Sequence, residues 1–125
     1  MSAFTEIAFL PPTRIWEGLN ARVVHGQRIT LAVIEFDPGS VVTQHSHDNE
    51  QVGILVAGSL TFRIGDETRE IRPGAAWCVL SNIPHDVVAG PDGAVIVEVF
   101  SPPRANDWAN LERGEPTRPR WPDTA

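Results

Sequence analysis

The sequence predicts an all-β protein that folds as a single barrel domain, and three observations lead to this prediction. From about residue 21 to residue 101, short apolar runs rich in Val and Ile alternate with turn signals, a rhythm typical of small β-sandwiches and barrels. No helical pattern of ten or more residues competes with these runs. The length of 125 residues suits one domain and is too short for two independent cores.

Nine strands are predicted along the chain. Nearly all of them are separated by turns that contain Gly, Pro or Asp. The predicted strands span residues 21–25, 28–36, 41–47, 51–56, 60–64, 68–71, 76–80, 86–89 and 94–100. Several strands are apolar at both parities, which indicates that both sheet faces are covered. A packed barrel interior on one side and a homodimer interface on the other would explain this pattern.

Two arms are predicted to flank the barrel. Residues 1–20 form an N-terminal arm, residues 21–104 the barrel and residues 105–125 a C-terminal arm. The tail after Pro103 is rich in Pro, Asp, Arg and Asn, with about one turn of helix expected over residues 106–111. Trp108 and Trp121 are expected to hold this arm against the barrel or against a second subunit.

Composition narrows the classes of partner. Hydrophobic residues make up 42% of the chain and charged residues 21%, as in soluble globular domains. With 10 basic against 16 acidic residues and a net charge of -6, nucleic acid is not an expected partner. The longest apolar stretch, residues 52–57, is far below the roughly 20 residues that span a bilayer, so no membrane is expected. The sequence lacks a secretory pattern at its start and has a single cysteine, which favours a cytoplasmic location.

A histidine pair is the first sign of a functional site. His45 and His47 are two residues apart, so in a strand their imidazoles project from the same face. Neutral imidazole is a common ligand of zinc, iron, nickel and copper. An isolated pair of this kind is about as often two ordinary polar residues of a barrel as it is part of a metal site. His25 falls in a predicted turn and is expected to lie at the surface.

The histidine pair lies within a longer motif, and a second motif follows it along the chain. Residues 39–58, GSVVTQHSHDNEQVGILVAG, resemble the first motif of the cupin superfamily, with Gln51 in the position of the usual carboxylate. Residues 72–87, RPGAAWCVLSNIPHDV, are similar to its second motif and supply His85. The resemblance implies a cupin jelly-roll β-barrel, also called a double-stranded β-helix. It also implies one divalent metal ion, zinc, nickel, iron or manganese, held by His45, His47, Gln51 and His85.

Two departures from the cupin pattern bear on the chemistry. Ala75 stands where an aspartate is common, and Gln51 stands where many cupins have glutamate. Glu50 is a rival ligand, although strand alternation puts it on the face opposite Gln51. Three imidazoles and one amide leave the charge of the metal uncompensated, which favours an anionic substrate and proton transfer over oxygen activation.

The end of the barrel resembles a narrower group. Residues 98–104, EVFSPPR, are similar to the ending of small cupins that act on unsaturated uronates in pectin and alginate breakdown, which also use Gln as the fourth ligand. This resemblance implies pocket roles for Glu98, Phe100 and Arg104: a general acid or base, a substrate contact and a carboxylate clamp. Glu98 replaces an aspartate of that group. The alternative interpretation is that Arg104 forms a rim salt bridge and Phe100 fills the core.

Trp77 shares a predicted strand with Cys78 in the second motif. It either walls the pocket and contacts substrate or packs in the core.

Three functions follow as hypotheses. The first is a metal-dependent isomerase or lyase acting on a small sugar-acid or keto-acid. The second is an iron dioxygenase or an aromatic polyketide cyclase on the same barrel. The third is a non-enzymatic module that binds a small ligand, because a fold does not by itself fix function.

Overall fold

The computed structural model describes residues 2–114 and 117–122. The described chain is nearly all β, as the sequence predicts. It contains a short 3-10 turn at Ile7–Phe9 and one short helix, α1. The elements are β1 Thr13–Trp16, β2 Leu19–His25, β3 Thr30–Phe36, β4 Val41–His45, β5 Glu50–Ile64, β6 Glu67–Ile71, β7 Ala76–Val79, β8 His85–Ser101 and α1 Ala105–Trp108. None of the described helices is long and apolar enough to cross a membrane.

The two longest strands, β5 and β8, belong to both halves of the barrel. In one half, the order is β1-β2-β3, then residues 94–100 of β8, residues 50–55 of β5, and β7. In the other half, β4 pairs with the start of β8, residues 85–89 of β8 pair with residues 60–64 of β5, and β6 completes the edge. All pairs are antiparallel. This arrangement confirms the predicted jelly roll, and it brings the start of β8 beside the end of β4.

Two predicted turns are instead bends within continuous strands. The signals at residues 57–59 and 91–93 were expected to end strands, but β5 and β8 run through them with register shifts on either side of Gly58. Gly58 has φ +78°, and a Cβ there would collide with the carbonyl oxygen of Gly93. The two backbones therefore pass too closely for a side chain, and bulges let both strands bend while they stay paired.

The sheet begins earlier than the predicted boundary at residue 21. β1 pairs with β2 from Thr13, across a turn at Gly18 with φ +81°, and Ile15 packs against the core. Residues 13–16 and 19–20, assigned by the sequence to an arm, are therefore strand residues on either side of this turn. A second strand boundary also differs from the prediction. β4 ends at His45, so His47 lies in a loop and not on the predicted strand.

The core lies between the two halves of the barrel. Its buried apolar side chains come from all the long strands and include Ile34, Phe36, Leu55, Leu60, Val79 and Ile96. Several apolar side chains face outward instead. Val52, Ile54 and Val99 are 48%, 41% and 36% exposed on the outer face formed by β5 and β8.

Arginine side chains fasten both arms to the barrel. Arg22, only 1% exposed, donates hydrogen bonds to the backbone carbonyls of Leu10 and Thr117 and to the Glu35 carboxylate. Arg120 also contacts Glu35. Because a buried guanidinium is costly unless its donors are used, these bonds stabilise the arms in place. Trp108 packs against the core as expected, whereas Trp121 is exposed.

Candidate metal centre

Three histidines converge at one end of the barrel. His45 ends β4 and His85 begins β8, and the two are direct cross-strand partners. His47 reaches the same point from the following loop. One ligand atom from each imidazole can be chosen so that all three lie within 4.8 Å of one another. The set could therefore hold a metal ion.

Backbone carbonyls fix the orientation of each imidazole. The Nδ1 atom of each ring bonds a carbonyl oxygen two residues away in the sequence, which makes Nδ1 the donor and leaves the Nε2 lone pair free. The three acceptors, each 2.9 Å from its imidazole, are the carbonyl oxygens of Thr43, Asn49 and Ile83.

The Nε2 atom of His85 is buried without a partner among the described residues, as expected of a metal ligand. His85 is 4% exposed, and its Nε2 has no hydrogen-bond partner within the part of the chain that the structure describes. A buried polar atom without a partner is costly unless something satisfies it. Burial also lowers the pKa of His85 to about 4 and lowers the pKa of His47, helped by the charge of Arg104. Neutral imidazoles with free Nε2 atoms are what a divalent ion requires.

Gln51 is better placed than Glu50 to supply a fourth donor. Gln51 is 5% exposed and lines the cavity beside the histidines, whereas Glu50 is exposed and does not. The Gln51 Nε2 donates to Glu98 Oε2 at 2.6 Å. This bond uses the amide nitrogen of Gln51, which leaves its amide oxygen as the atom that can serve as a metal ligand. The donor set of three imidazoles and an amide oxygen fits a divalent metal.

Glu98 is a buried carboxyl beside this donor set. Its Oε2 accepts hydrogen bonds from Gln51 and from Trp77 Nε1, the latter at 2.8 Å, whereas Oε1 accepts none from the described residues. Burial raises the pKa of Glu98 to about 7, against the opposing effects of Trp77, Gln51 and Arg104. The carboxyl can thus either give or accept a proton near neutral pH.

Trp77 does not wall the central cavity. It is buried in the core, edge-on to Phe62 with ring centroids 5.2 Å apart, and its indole N–H holds Glu98. A Cβ at Gly53 would lie 2.7 Å from both Glu98 Cγ and Trp77 Cε2, so the bare glycine allows the two side chains to meet. Of the two roles considered for Trp77, packing in the core is the one that these contacts describe.

Arg104 and Phe100 both line the cavity and contact each other. The guanidinium carbon of Arg104 lies 5.6 Å from the ring centre of Phe100 and 5.2 Å from that of Trp108, within cation–π range. Phe100 belongs to the core cluster and also lines the cavity. Its ring centre lies 6.2 Å from that of His47. The Arg104 guanidinium lies 3.6 Å from the Asp107 carboxylate, which is 56% exposed. The ion pair with Asp107 and the core position of Phe100 match the alternative interpretation, and both side chains also line the cavity where the substrate roles were expected.

A cavity of about 290 Å³ connects these groups. The three histidines, Gln51, Glu98, Arg104 and Asp107 are its polar lining, and the other lining side chains are mostly apolar. The apolar lining includes Ile34, Phe36, Val42, Phe62, Val87, Ile96 and Phe100. Its mouth also carries Trp16, Asp107, Trp108 and Leu111, which the sequence did not assign to the site. Trp16 stacks near His45 at 5.6 Å between ring centres.

Comparisons with known proteins agree with this geometry. Residues 32–100 match the cupin domain. The chain is 29% identical over 98 residues to the pectin degradation protein KdgF of Dickeya dadantii, covering 77% of this chain and 89% of that protein. This similarity matches the group suggested by residues 98–104.

Solved structures show the same fold. The structure of KdgF from a Halomonas species superposes with a TM-score of 0.78 at 24% identity, covering 86% of this chain and 99% of the other. An RmlC-like cupin from Shewanella frigidimarina also reaches a TM-score of 0.78, at 22% identity and with 86% and 96% coverage. The family match, the jelly roll and the histidine site lead to one conclusion: this chain belongs to the cupin family.

Proposed function

We propose that this protein is a metal-dependent enzyme that transfers protons on a small anionic sugar-acid or keto-acid, by isomerase or lyase chemistry. The observation that carries the proposal is the direct hydrogen bond between the proposed ligand Gln51 and the buried carboxyl of Glu98. This bond supports the proposal because it joins a carboxyl to one of the proposed metal ligands in the cavity that both line.

In this proposal the metal, Glu98 and Arg104 each have a separate role. A divalent ion, when bound, supplies a Lewis acid that polarises a substrate oxygen. Glu98 holds or accepts the proton at Oε1, because Oε2 is occupied by Trp77 and Gln51. Arg104 binds the substrate carboxylate, and the aromatic rings around its guanidinium keep it out of bulk water. Desolvation strengthens that charge interaction.

The substrate class rests on similarity together with charge. The relative from Dickeya dadantii is named a pectin degradation protein, and the ending EVFSPPR resembles cupins that act on unsaturated uronates. An uncompensated metal and the Arg104 guanidinium both favour an anion. Unsaturated uronates, and the keto acids related to them, are therefore the first substrates to test.

Turnover of an unsaturated uronate by metal-loaded protein tests the proposal. Each of zinc, nickel, iron and manganese is added to metal-free protein, and loss of the ultraviolet absorbance of the conjugated double bond is followed. Glu98→Gln is expected to lower kcat by about 10²–10⁴-fold, the usual contribution of a general acid or base. Glu50→Gln, an exposed change in the same strand as Gln51, is the control. If His45→Ala abolishes metal binding and turnover persists, the proposed chemistry is wrong.

The apolar lining supports a second candidate. Most of the cavity wall below the histidines is aliphatic or aromatic, which suits an apolar substrate of a dioxygenase or a polyketide cyclase better than a polyhydroxylated one. Oxygen consumption by the Fe(II)-loaded protein with an aromatic substrate would favour the dioxygenase. Tight binding of such a compound without turnover under any metal would favour the non-enzymatic binding module.

We also propose a homodimer formed through the outer face of the sheet. Val52, Ile54 and Val99 lie together there and are partly exposed. Apolar side chains clustered on one sheet face are a common basis for a two-fold interface.

A further inference from the structure

Asn49 lies between the histidine site and Arg104, and it contacts both. It lies in the loop between β4 and β5, where its neighbours Asp48 and Glu50 are exposed, yet Asn49 itself is only 7% exposed. A buried amide needs partners for both its donor and its acceptor. Asn49 has both.

Three hydrogen bonds connect Asn49 to its surroundings. Its backbone carbonyl accepts from His47 Nδ1 at 2.9 Å. Its side-chain Oδ1 accepts from Arg104 Nη1 at 2.6 Å, and its Nδ2 donates to the carbonyl oxygen of Pro102 at 2.5 Å. One residue therefore holds a metal-site histidine through its backbone and the cavity arginine through its side chain.

The chemistry of the amide matters at this position. An amide oxygen fixes the Arg104 guanidinium without neutralising it, whereas a carboxylate would compensate its charge. The other contacts of the Arg104 side chain are weaker constraints: two aromatic faces, and Asp107 at 3.6 Å with a side chain that is 56% exposed. The Arg104 Nε is buried and bonds to none of the described residues. Among the described residues, Asn49 Oδ1 is the one hydrogen-bond acceptor of the guanidinium, so the group keeps its positive charge and further Nη donors for an anion in the cavity.

We infer that Asn49 is a positioning residue, which holds Arg104 as a carboxylate-binding group at a fixed place relative to the His47 imidazole. This inference rests on the proposed function, since it assigns Arg104 to the substrate carboxylate. It makes a separable claim, because replacing the Asn49 side chain leaves the backbone carbonyl that holds His47. Carboxylate binding and metal binding should therefore respond differently to such a change.

Asn49→Asp tests the inference with minimal change in shape. The probe is galacturonate, a stable uronate, titrated calorimetrically into zinc-loaded protein, and zinc affinity is measured separately on the metal-free protein. Hydrogen bonds to charged groups contribute enough to predict at least a roughly 10-fold loss of galacturonate affinity. Zinc affinity should stay within about 3-fold of the wild-type value. Asn49→Ala should weaken galacturonate binding in the same direction.

Asn106→Asp is the matched control. It makes the same chemical change two residues from Arg104, at an exposed position of α1, and should alter galacturonate affinity by less than about 2-fold.

Three results would overturn the inference. The first is that Asn49→Asp binds galacturonate as tightly as the wild type does. The second is that Asn49→Asp loses zinc affinity and galacturonate affinity in parallel. The third is that the wild type shows no measurable binding of galacturonate. Failure of the proposed function gives a different result: the wild type binds galacturonate and Asn49→Asp does not, but no unsaturated uronate or keto acid is turned over.

Discussion

Replacing Glu98 by Gln should change the pH dependence of stability in the metal-free protein. In the folded state burial raises the pKa of this carboxyl from 4.5 to about 7. The unfolded chain therefore ionises first, and the stabilisation associated with Glu98 is fully present below about pH 4.5 and is lost as pH rises through 7. At about 1.4 kcal/mol per pH unit, the loss approaches about 3 kcal/mol by pH 8.

The glutamine variant should not show this loss. The amide oxygen of the substituted side chain can accept the same hydrogen bonds from Trp77 and Gln51, and an amide does not titrate. The free energy of unfolding of Glu98→Gln, relative to wild type, should therefore increase by about 3 kcal/mol between pH 4.5 and pH 8.

Urea denaturation at several pH values, with a chelator present, measures this difference. Glu50→Gln removes an exposed glutamate from β5 and serves as the control for loss of one negative charge. A difference between Glu98→Gln and wild type that stays constant from pH 4.5 to pH 8 would show that Glu98 is not desolvated in the folded protein.

Three further predictions follow from the same geometry. His85→Ala should abolish tight zinc binding in equilibrium dialysis, because it removes a buried donor, whereas His25→Ala, an exposed change outside the site, should bind one zinc ion like the wild type. Gly53→Ala should lower the free energy of unfolding by about 1–3 kcal/mol, since its Cβ would lie 2.7 Å from Glu98 and Trp77; an unchanged melting temperature would contradict that close approach. Val52→Arg should convert a dimer to a monomer in analytical ultracentrifugation, and Thr61→Arg, exposed elsewhere on β5, should not.

The sequence predicted the parts of the fold and site that depend on local spacing. The strand rhythm predicted an all-β barrel, and the resemblance of the two histidine motifs to cupins implied the jelly roll and the convergence of His45, His47 and His85. The strand-face argument for His47 was wrong in detail, because β4 ends at His45. The imidazole still reaches the site because the Asn49 carbonyl fixes its orientation.

Features that depend on long-range contacts could not be predicted. The signals near Gly58 and Gly93 are the same whether a strand ends or bends, and only the close approach of β5 to β8 decides between them. Trp77 and Asn49 carry no local signal of their roles. Their partners, Glu98 and Arg104, are 21 and 55 residues away in the sequence.

An anomalous difference map of crystals of the zinc-loaded protein would locate the ion and its ligands. We expect one zinc ion per chain, bound by Nε2 of His45, His47 and His85 and by the amide oxygen of Gln51. Zinc bound by the carboxylate of Glu50 or Glu98 instead of Gln51, or no ion among the three imidazoles, would contradict the neutral ligand set from which the proposed chemistry follows.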